Sequence, residues 1–256
     1  MSISPLLTSP LLIKAFATQS ALKVISGLNN FDAERVAAIV RAAELGGATF
    51  VDIAASPALV QMCRQLITLP ICVSAVDPQL LAESVQAGAD LVEIGNFDSF
   101  YAQGRYFTAE EVLELTRQTR ALLPHTPLSV TVPHPLPLDQ QVQLAEQLVQ
   151  AGADLIQTEG GTSSHPSHAG TLGLIEKAAP TLAAAYEISR AVPVPVLCAS
   201  GLSSVTVPLA IAAGAAGVGV GSAVNQLNSE VAMIAAVRSL VTALKASAPV
   251  PSSLQY

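Results

Sequence analysis

A short pattern, repeated along the chain, sets the strongest limit on the fold. "ELGGATFVDIAAS" begins at Glu44, "VQAGADLVEIGN" at Val85, "VQAGADLIQTEGG" at Val149 and "IAAGAAGVGVGS" at Ile211. Each copy reads as a helix end, a glycine turn and a short apolar run. Glycine suits the residue after a helix because it adopts positive φ without a Cβ clash. An unbroken apolar run suits a parallel strand covered on both faces. Self-similarity of this kind marks a chain built from one recurring supersecondary unit.

A second strand type lies between the copies. "LPICVSAVDP" runs from Leu69, "TPLSVTVPHP" from Thr126 and "VPVPVLCASG" from Val192, each entered through proline and left through polar or turn residues. "ALKVISGLNN", from Ala21, supplies the first strand. Eight strands are expected, beginning near Leu22, Thr49, Ile71, Asp90, Leu128, Asp154, Pro195 and Ala216. Helical patterns separate them. "DAERVAAIVRAAEL" carries Val36, Ile39, Val40 and Ala43 on one face. "TAEEVLELTRQTRALL" opens with Thr108 as N-cap and Glu111 three residues later, a capping box. "LDQQVQLAEQLVQAG" and "EKAAPTLAAAYEISRAV" follow, Pro180 being expected to kink or restart the latter. The last helix is expected over Ser229 to Ala246. Strands alternating with helices in this number give an α/β fold, a single-domain (β/α)8 TIM barrel over residues 21–246. An N-terminal segment (1–20) precedes it, and a flexible tail (247–256) follows. An open doubly wound sheet is the alternative, but the pattern recurs to the last strand, which favours closure.

One composition question bears on this reading. Residues 191–229 carry no charge, and the chain is 51% hydrophobic and 12% charged. A bilayer-spanning helix needs about 20 consecutive apolar residues, and Pro208 to Leu227 is long enough. Its content is wrong, however: Ala, Gly and Val dominate, and Ser222, Asn225 and Gln226 make one end polar. There is no tryptophan, and no basic cluster flanks the stretch. Burial of a barrel strand on both faces accounts for the missing charge, so no membrane span is expected. Net charge is −7, with no basic patch, so no nucleic-acid partner is expected. Cys63, Cys72 and Cys198 are odd in number and lack CxxC spacing, so neither a disulfide frame nor a zinc site is indicated. Cys72 and Cys198 fall in strands as small buried residues. "MSISPLLTSPLLIKAF" lacks a basic n-region and a cleavage-like end, so no signal peptide is read. A reduced, cytoplasmic setting is expected.

In this fold the loops at the strands' C-terminal ends carry function. Alternate strand residues point inward, so polar residues within the strands are the interior ones. This gives Lys23, Asp52, Ser74 and Glu93 from the first four strands, Ser129 and Thr131 from the fifth, and Gln157 and Glu159 from the sixth. Asn29, Asn96 and His134 follow in loops. A purely structural salt bridge of Lys23 with Asp52 or Glu93 explains part of this set. Buried charges are seldom kept for stability, since desolvation offsets pairing, so the cluster is a candidate for catalysis. The catalytic candidates are Lys23, Asp52, Glu93, Gln157 and Glu159. Asn29, Ser74, Asn96, Thr131 and His134 are further ligand contacts. "CASGLSS" at the end of strand seven and "GVGVGSAV" through strand eight occupy the positions where barrels bind phosphate. Ser200, Gly201, Leu202, Gly221 and Ser222 are the phosphate candidates. Tight strand-to-helix turns are the plain alternative for these glycines.

"EGGTSSHPSHAGTLG", from Glu159, reads as a long polar surface loop, and its HxxH (His165, His168) is weak evidence for a metal. Asp52, Glu93 and Glu159 offer carboxylates for a divalent cation, but Lys23 beside them argues against one. No metal site is expected.

"ADLVEIGNFDSFY", "LSVTVPH", "LIQTEGG", "CASGLSSVT" and "GVGVGSAVN" together resemble the uncharacterised hypothetical-chloroplast-reading-frame family of cyanobacteria and plastids. The resemblance spans nearly the whole chain. It implies an aldolase-type TIM barrel of unknown activity and a cyanobacterial or plastid-stroma setting. The last two motifs are also similar to those of phosphate-binding barrels such as thiazole synthase and indole-glycerol-phosphate synthase, a likeness of fold alone.

The expected function is binding of a phosphorylated small molecule, with lyase, isomerase or synthase chemistry on it. Lys23 is expected as a Schiff-base nucleophile or an electrostatic clamp, with the acids moving protons. A flavin-dependent oxidoreductase, its FMN phosphate in the same loops, and a non-catalytic regulatory barrel are the alternatives. The residues require no cofactor and leave the oligomeric state open.

Overall fold

The eight apolar runs form eight parallel strands: β1 (Ala21–Gly27), β2 (Phe50–Ala54), β3 (Ile71–Ala75), β4 (Leu91–Ile94), β5 (Leu128–Thr131), β6 (Leu155–Gln157), β7 (Val196–Ala199) and β8 (Gly217–Val220). Each pairs with its successor, and β8 returns to β1, Lys23 lying opposite Gly219, so the sheet closes. A computed structural model describes residues 1–161 and 164–247. The expected tail therefore lies, apart from residue 247, outside the described residues. Every strand starts within one residue of its expected position.

The helices are α1 (Pro10–Ala17), α2 (Ala33–Gly46), α3 (Pro57–Leu66), α4 (Pro78–Gln86), α5 (Asp98–Tyr101), α6 (Ala109–Leu122), α7 (Leu138–Gln150), α8 (Gly170–Ala191), α9 (Val207–Ala212), α10 (Ser222–Asn225) and α11 (Glu230–Ser247). Outward strand residues such as Val24, Ile53, Val92 and Ile156 pack beneath them in one apolar layer. The expected face of α2 (Val36, Ile39, Val40, Ala43) is buried there. The Thr108–Glu111 capping box forms at the start of α6. The uncharged stretch from Pro208 divides into most of α9, then β8, then α10. Among the described residues no helix is long and apolar enough to cross a membrane.

The N-terminal segment folds across the closed end of the barrel. Leu12 and Phe16 of α1 pack onto an inward ring that includes Phe50, Leu91, Leu155 and Leu197. The Phe16 and Phe50 rings meet edge-on, 6.1 Å between centroids. This apolar floor leaves the C-terminal mouth as the barrel's polar end.

One of the two alternatives expected at Pro180, a kink or a restart, is corrected. Pro180 does not restart its helix: α8 runs unbroken from Gly170 to Ala191. Proline has no N–H for the carbonyl four residues back, here that of Glu176. The Ser164 hydroxyl donates to that oxygen instead, at 3.1 Å. The side chain of a preceding loop residue thus satisfies the group that proline orphans.

Candidate functional site

Strand alternation places a charged network inside the barrel, above the apolar floor. The Lys23 ammonium lies 2.6 Å from Glu93 Oε2 and 3.2 Å from Asp52 Oδ2, and all three side chains are buried. Ser74 pairs in register with Glu93, and Glu93 with Ser129, so neighbouring strands supply donors at one level. Ser74 Oγ donates to Asp52 Oδ1 at 2.5 Å. Ser129 Oγ and Gln157 Nε2 each donate to Glu93 at 2.7 Å, and Thr131 Oγ1 stands 3.4 Å from it. Burial alone would lower the Lys23 pKa, but the charges of Glu93 and Asp52 outweigh it and hold the ammonium above the ordinary lysine value. Burial raises Glu93, opposed by Lys23. Lys23 is therefore a fixed cation, which suits charge stabilisation; nucleophilic attack needs a neutral amine.

Asn96 covers this network. Its Nδ2 lies 3.1 Å from both Asp52 Oδ2 and Ser74 Oγ, and 3.2 Å from Glu93 Oε1. Its backbone is left-handed (φ 60°), as is that of Ser200 (φ 75°). Asparagine tolerates this region better than most residues, serine less so, and such conformations cluster at functional sites. The other side of Asn96 faces a cleft of about 240 Å³, lined also by Asp98, Ser200, Gly201, Gly221 and Ser222. Asn225 Nδ2 fastens α10 to the end of β1 by donating to the Ile25 and Ser26 carbonyls. Arg35 of α2 donates to the Asn225 carbonyl and, at 2.8 Å, to that of Leu227. The wall built from "GVGVGSAVN" is thereby fixed in place.

Gly201 of the β7 loop and Gly221 of that wall, both lining the cleft, differ in their setting. A Cβ on Gly201 (φ 73°) would fall 2.7 Å from Gly161 Cα and 2.8 Å from the Lys177 carbonyl, so this glycine permits close packing of the β6 and β7 loops. A Cβ on Gly221 would meet nothing nearer than 3.5 Å. The bare backbone at Gly221 is thus not demanded by neighbouring protein atoms. The side chain of Lys177, whose Cγ would lie 3.3 Å from that Gly201 Cβ, makes no hydrogen bond or ion pair among the described residues.

A second polar group occupies the opposite rim. Glu159, at the end of β6, is 3% exposed. Its Oε1 accepts from the Tyr101 hydroxyl and, at 3.1 Å, from the His134 backbone N–H. The Tyr101 ring packs on His134, 5.1 Å between centroids. Ser200 Oγ donates to Asp98 Oδ2 at 2.8 Å. Burial, then the charge of Asp98, push Glu159 well above the usual carboxylate range. Burial and Glu159 raise Tyr101, which is a phenol rather than a phenolate, and burial lowers His134.

The structure thus splits the sequence-derived set. Lys23, Asp52, Ser74, Glu93, Asn96, Thr131 and Gln157 come together, while Glu159 and His134 form a separate group. Ser200, Gly201, Gly221 and Ser222 line the cleft; the Leu202 side chain turns into the core beside them. Asn29 is exposed on the turn after β1 and joins none of these hydrogen bonds; Asn30, its neighbour, bonds Ser26. His168 of the HxxH loop pairs with Glu176 at 2.6 Å. Cys63, Cys72 and Cys198 are free and buried. Asp98, Tyr101 and Lys177 were not singled out from sequence. Asp98 and Tyr101 stand three apart in "NFDSFY", a spacing that puts both on one face of a helical turn.

Fold and site together define an eight-stranded aldolase-type TIM barrel with its polar groups gathered at the C-terminal mouth. The chain belongs to the family described as "Protein of unknown function (DUF561)", which it matches over residues 8–249. It is 48% identical over 227 residues to "Uncharacterized protein ycf23" of Cyanophora paradoxa, covering 88% of this chain and 93% of that one. The protein of the same description from Pyropia yezoensis is 37% identical over 241 residues, covering 94% and 88%. Among solved structures, thiamine phosphate pyrophosphorylase of Pyrococcus furiosus superposes with a TM-score of 0.58 at 19% identity, covering 90% of this chain and 98% of that one. The (S)-3-O-geranylgeranylglyceryl phosphate synthase of Thermoplasma acidophilum, in complex with its substrate sn-glycerol-1-phosphate, gives 0.59 at 15%, covering 96% and 100%. A 3-hexulose-6-phosphate synthase gives 0.60 at 17%, covering 87% and 99%. At these identities the likeness is one of fold.

Proposed function

We propose that this protein binds a phosphorylated small molecule in the cleft at the barrel mouth and performs lyase, isomerase or synthase chemistry on it. The observation that carries the reading is the position of Asn96. One side chain roofs the buried Lys23–Asp52–Glu93 network and also lines the cleft that holds the Gly/Ser loops. A ligand whose phosphate rests on Gly201, Gly221 and Ser222 would direct its other end toward Asn96 and the acids beneath it. Several fold neighbours are named for phosphorylated substrates or products, which agrees with this reading.

In this scheme the loop N–H groups and the Ser222 hydroxyl hold the phosphate, and Lys177 adds a positive charge nearby. Lys23 acts as a fixed cation, not a Schiff-base nucleophile, because two carboxylates keep it protonated. Glu93 and Asp52 take up and return protons, and Asn96 relays their hydrogen bonding to the ligand. The cleft volume is below the roughly 300–1,000 Å³ usual for cofactor and drug-sized ligand sites, so a small phosphate ester fits better than FMN. Three unpaired cysteines agree with a reducing setting, the cyanobacterial cytoplasm or the plastid stroma.

The test is a thermal-shift and calorimetric screen of phosphorylated aldehydes, ketones and polyols, with inorganic phosphate as reference. The purified protein should be stabilised by at least one of these esters and not by its dephosphorylated form. Gly221→Val should abolish the shift while the variant remains folded. Binding that Gly221→Val leaves unchanged refutes the site. Binding without turnover makes the protein a regulatory barrel.

A further inference from the structure

The Asp98, His134 and Glu159 group contains an imbalance that its hydrogen bonds do not resolve. Asp98 Oδ1, His134 Nδ1 and Glu159 Oε2 are buried and have no hydrogen-bond partner. The remaining carboxylate oxygens are engaged: Asp98 Oδ2 by Ser200, Glu159 Oε1 by Tyr101 and the His134 N–H. His134 Nδ1 stands 3.7 Å from Glu159 Oε1, too far for a hydrogen bond. No lysine or arginine pairs with either acid among the described residues, although Glu159 is 3% exposed. Asp98 is half-buried and Glu159 buried, and a buried carboxyl either holds a proton or pairs with a positive charge; a cation between the two acids would supply that charge and occupy the three unpartnered atoms.

We propose that Asp98, His134 and Glu159 bind a divalent transition-metal cation. One donor atom from each residue lies within 4.8 Å of the other two. Donors about 2.0–2.2 Å from a tetrahedral zinc lie roughly 3.3–3.6 Å from one another, so an inward movement of each donor by under about one ångström closes the set. Two carboxylates and one imidazole make a mixed O/N site, which suits manganese or zinc better than calcium or magnesium. The bonds from Ser200, Tyr101 and the His134 amide then orient the ligating carboxylates, as outer-shell partners do at metal centres. The sequence argument against a cation rested on Lys23 standing beside Glu159. Lys23 pairs instead with Asp52 and Glu93, so that argument does not reach this group.

Three protein donors leave positions open on the cation. Asp98 also lines the mouth cleft, so an open position would face a bound ligand. That last consequence rests on the phosphate reading; the cation site does not.

The probe is the metal alone. The full chain, stripped with chelator and dialysed, is titrated with MnCl2 and ZnCl2 by calorimetry. Saturation at one equivalent is expected. Glu159→Gln and Asp98→Asn, which keep the shape of each side chain, should each weaken binding by roughly tenfold or more, and His168→Ala should not. Absence of saturable binding, or full-strength binding in both acid variants, overturns the proposal. X-ray absorption of the zinc-loaded wild type reads the site without any variant. One imidazole among oxygen donors is expected, and a sulfur shell or two imidazoles would overturn the assignment. Loss of phosphate-ester binding in Gly221→Val with metal binding intact would separate the two sites.

Discussion

Lys23→Met removes the cation that pairs with both carboxylates of a buried network. Removing one partner of a buried ion pair costs about 3–5 kcal/mol, because the remaining charge stays desolvated. Here the acids keep other donors: Ser129, Gln157 and Asn96 on Glu93, Ser74 and Asn96 on Asp52. The expected loss at pH 7 is therefore at the lower end, about 3 kcal/mol. The pH dependence is more diagnostic. Burial already raises Glu93 above its ordinary 4.5, and Lys23 opposes that rise. Without Lys23 the folded-state value climbs further. A carboxyl whose folded pKa exceeds its unfolded one holds a proton in the folded state that the unfolded state has released. Stability of the variant should then fall as pH rises from about 4.5, by roughly 1.4 kcal/mol per pH unit, until the folded pKa is passed. Urea denaturation of wild type and variant, followed by circular dichroism between pH 5 and 8, measures both effects. Lys23→Met/Glu93→Gln should recover most of the loss and flatten the pH trend. A single variant as stable as wild type across this range, with no slope, would refute the ionised network.

Gly201→Ala should destabilise the protein, since the new Cβ meets the Gly161 backbone at a positive φ, whereas Gly221→Ala should be nearly neutral; thermal melts of the pair separate the two roles. Phe16→Ala should cost about 3–5 kcal/mol by emptying the barrel floor while leaving affinity for a phosphate ester intact, since α1 lies at the opposite end from the cleft. Thr108→Ala should cost about 1 kcal/mol by uncapping α6, read by urea denaturation.

The barrel was legible because its signals are local. The "AGAD"-type turns and the apolar runs after them fix helix ends and strands one segment at a time, and Lys23, Asp52 and Glu93 follow from strand alternation. What escaped depends on groups far apart in sequence. Pro180 signals a break, yet Ser164 supplies the missing donor from a loop 16 residues earlier. Glu159 extends the same strand as Gln157 and so looked like a member of the Lys23 cluster. Beyond the end of β6, however, the inward alternation no longer applies, and Tyr101 and His134 claim its carboxylate. Asn29 has the right chemistry for a ligand contact but sits on an exposed turn.

The central claim is that the mouth cleft holds a phosphate group within reach of the buried acids. A crystal structure of the protein grown with the phosphate ester that binds best tests it most directly. The account predicts phosphorus density against the backbone of Gly201, Gly221 and Ser222, with the rest of the ligand reaching Asn96. Ligand density at another surface, with this cleft left to solvent under saturating conditions, would contradict it.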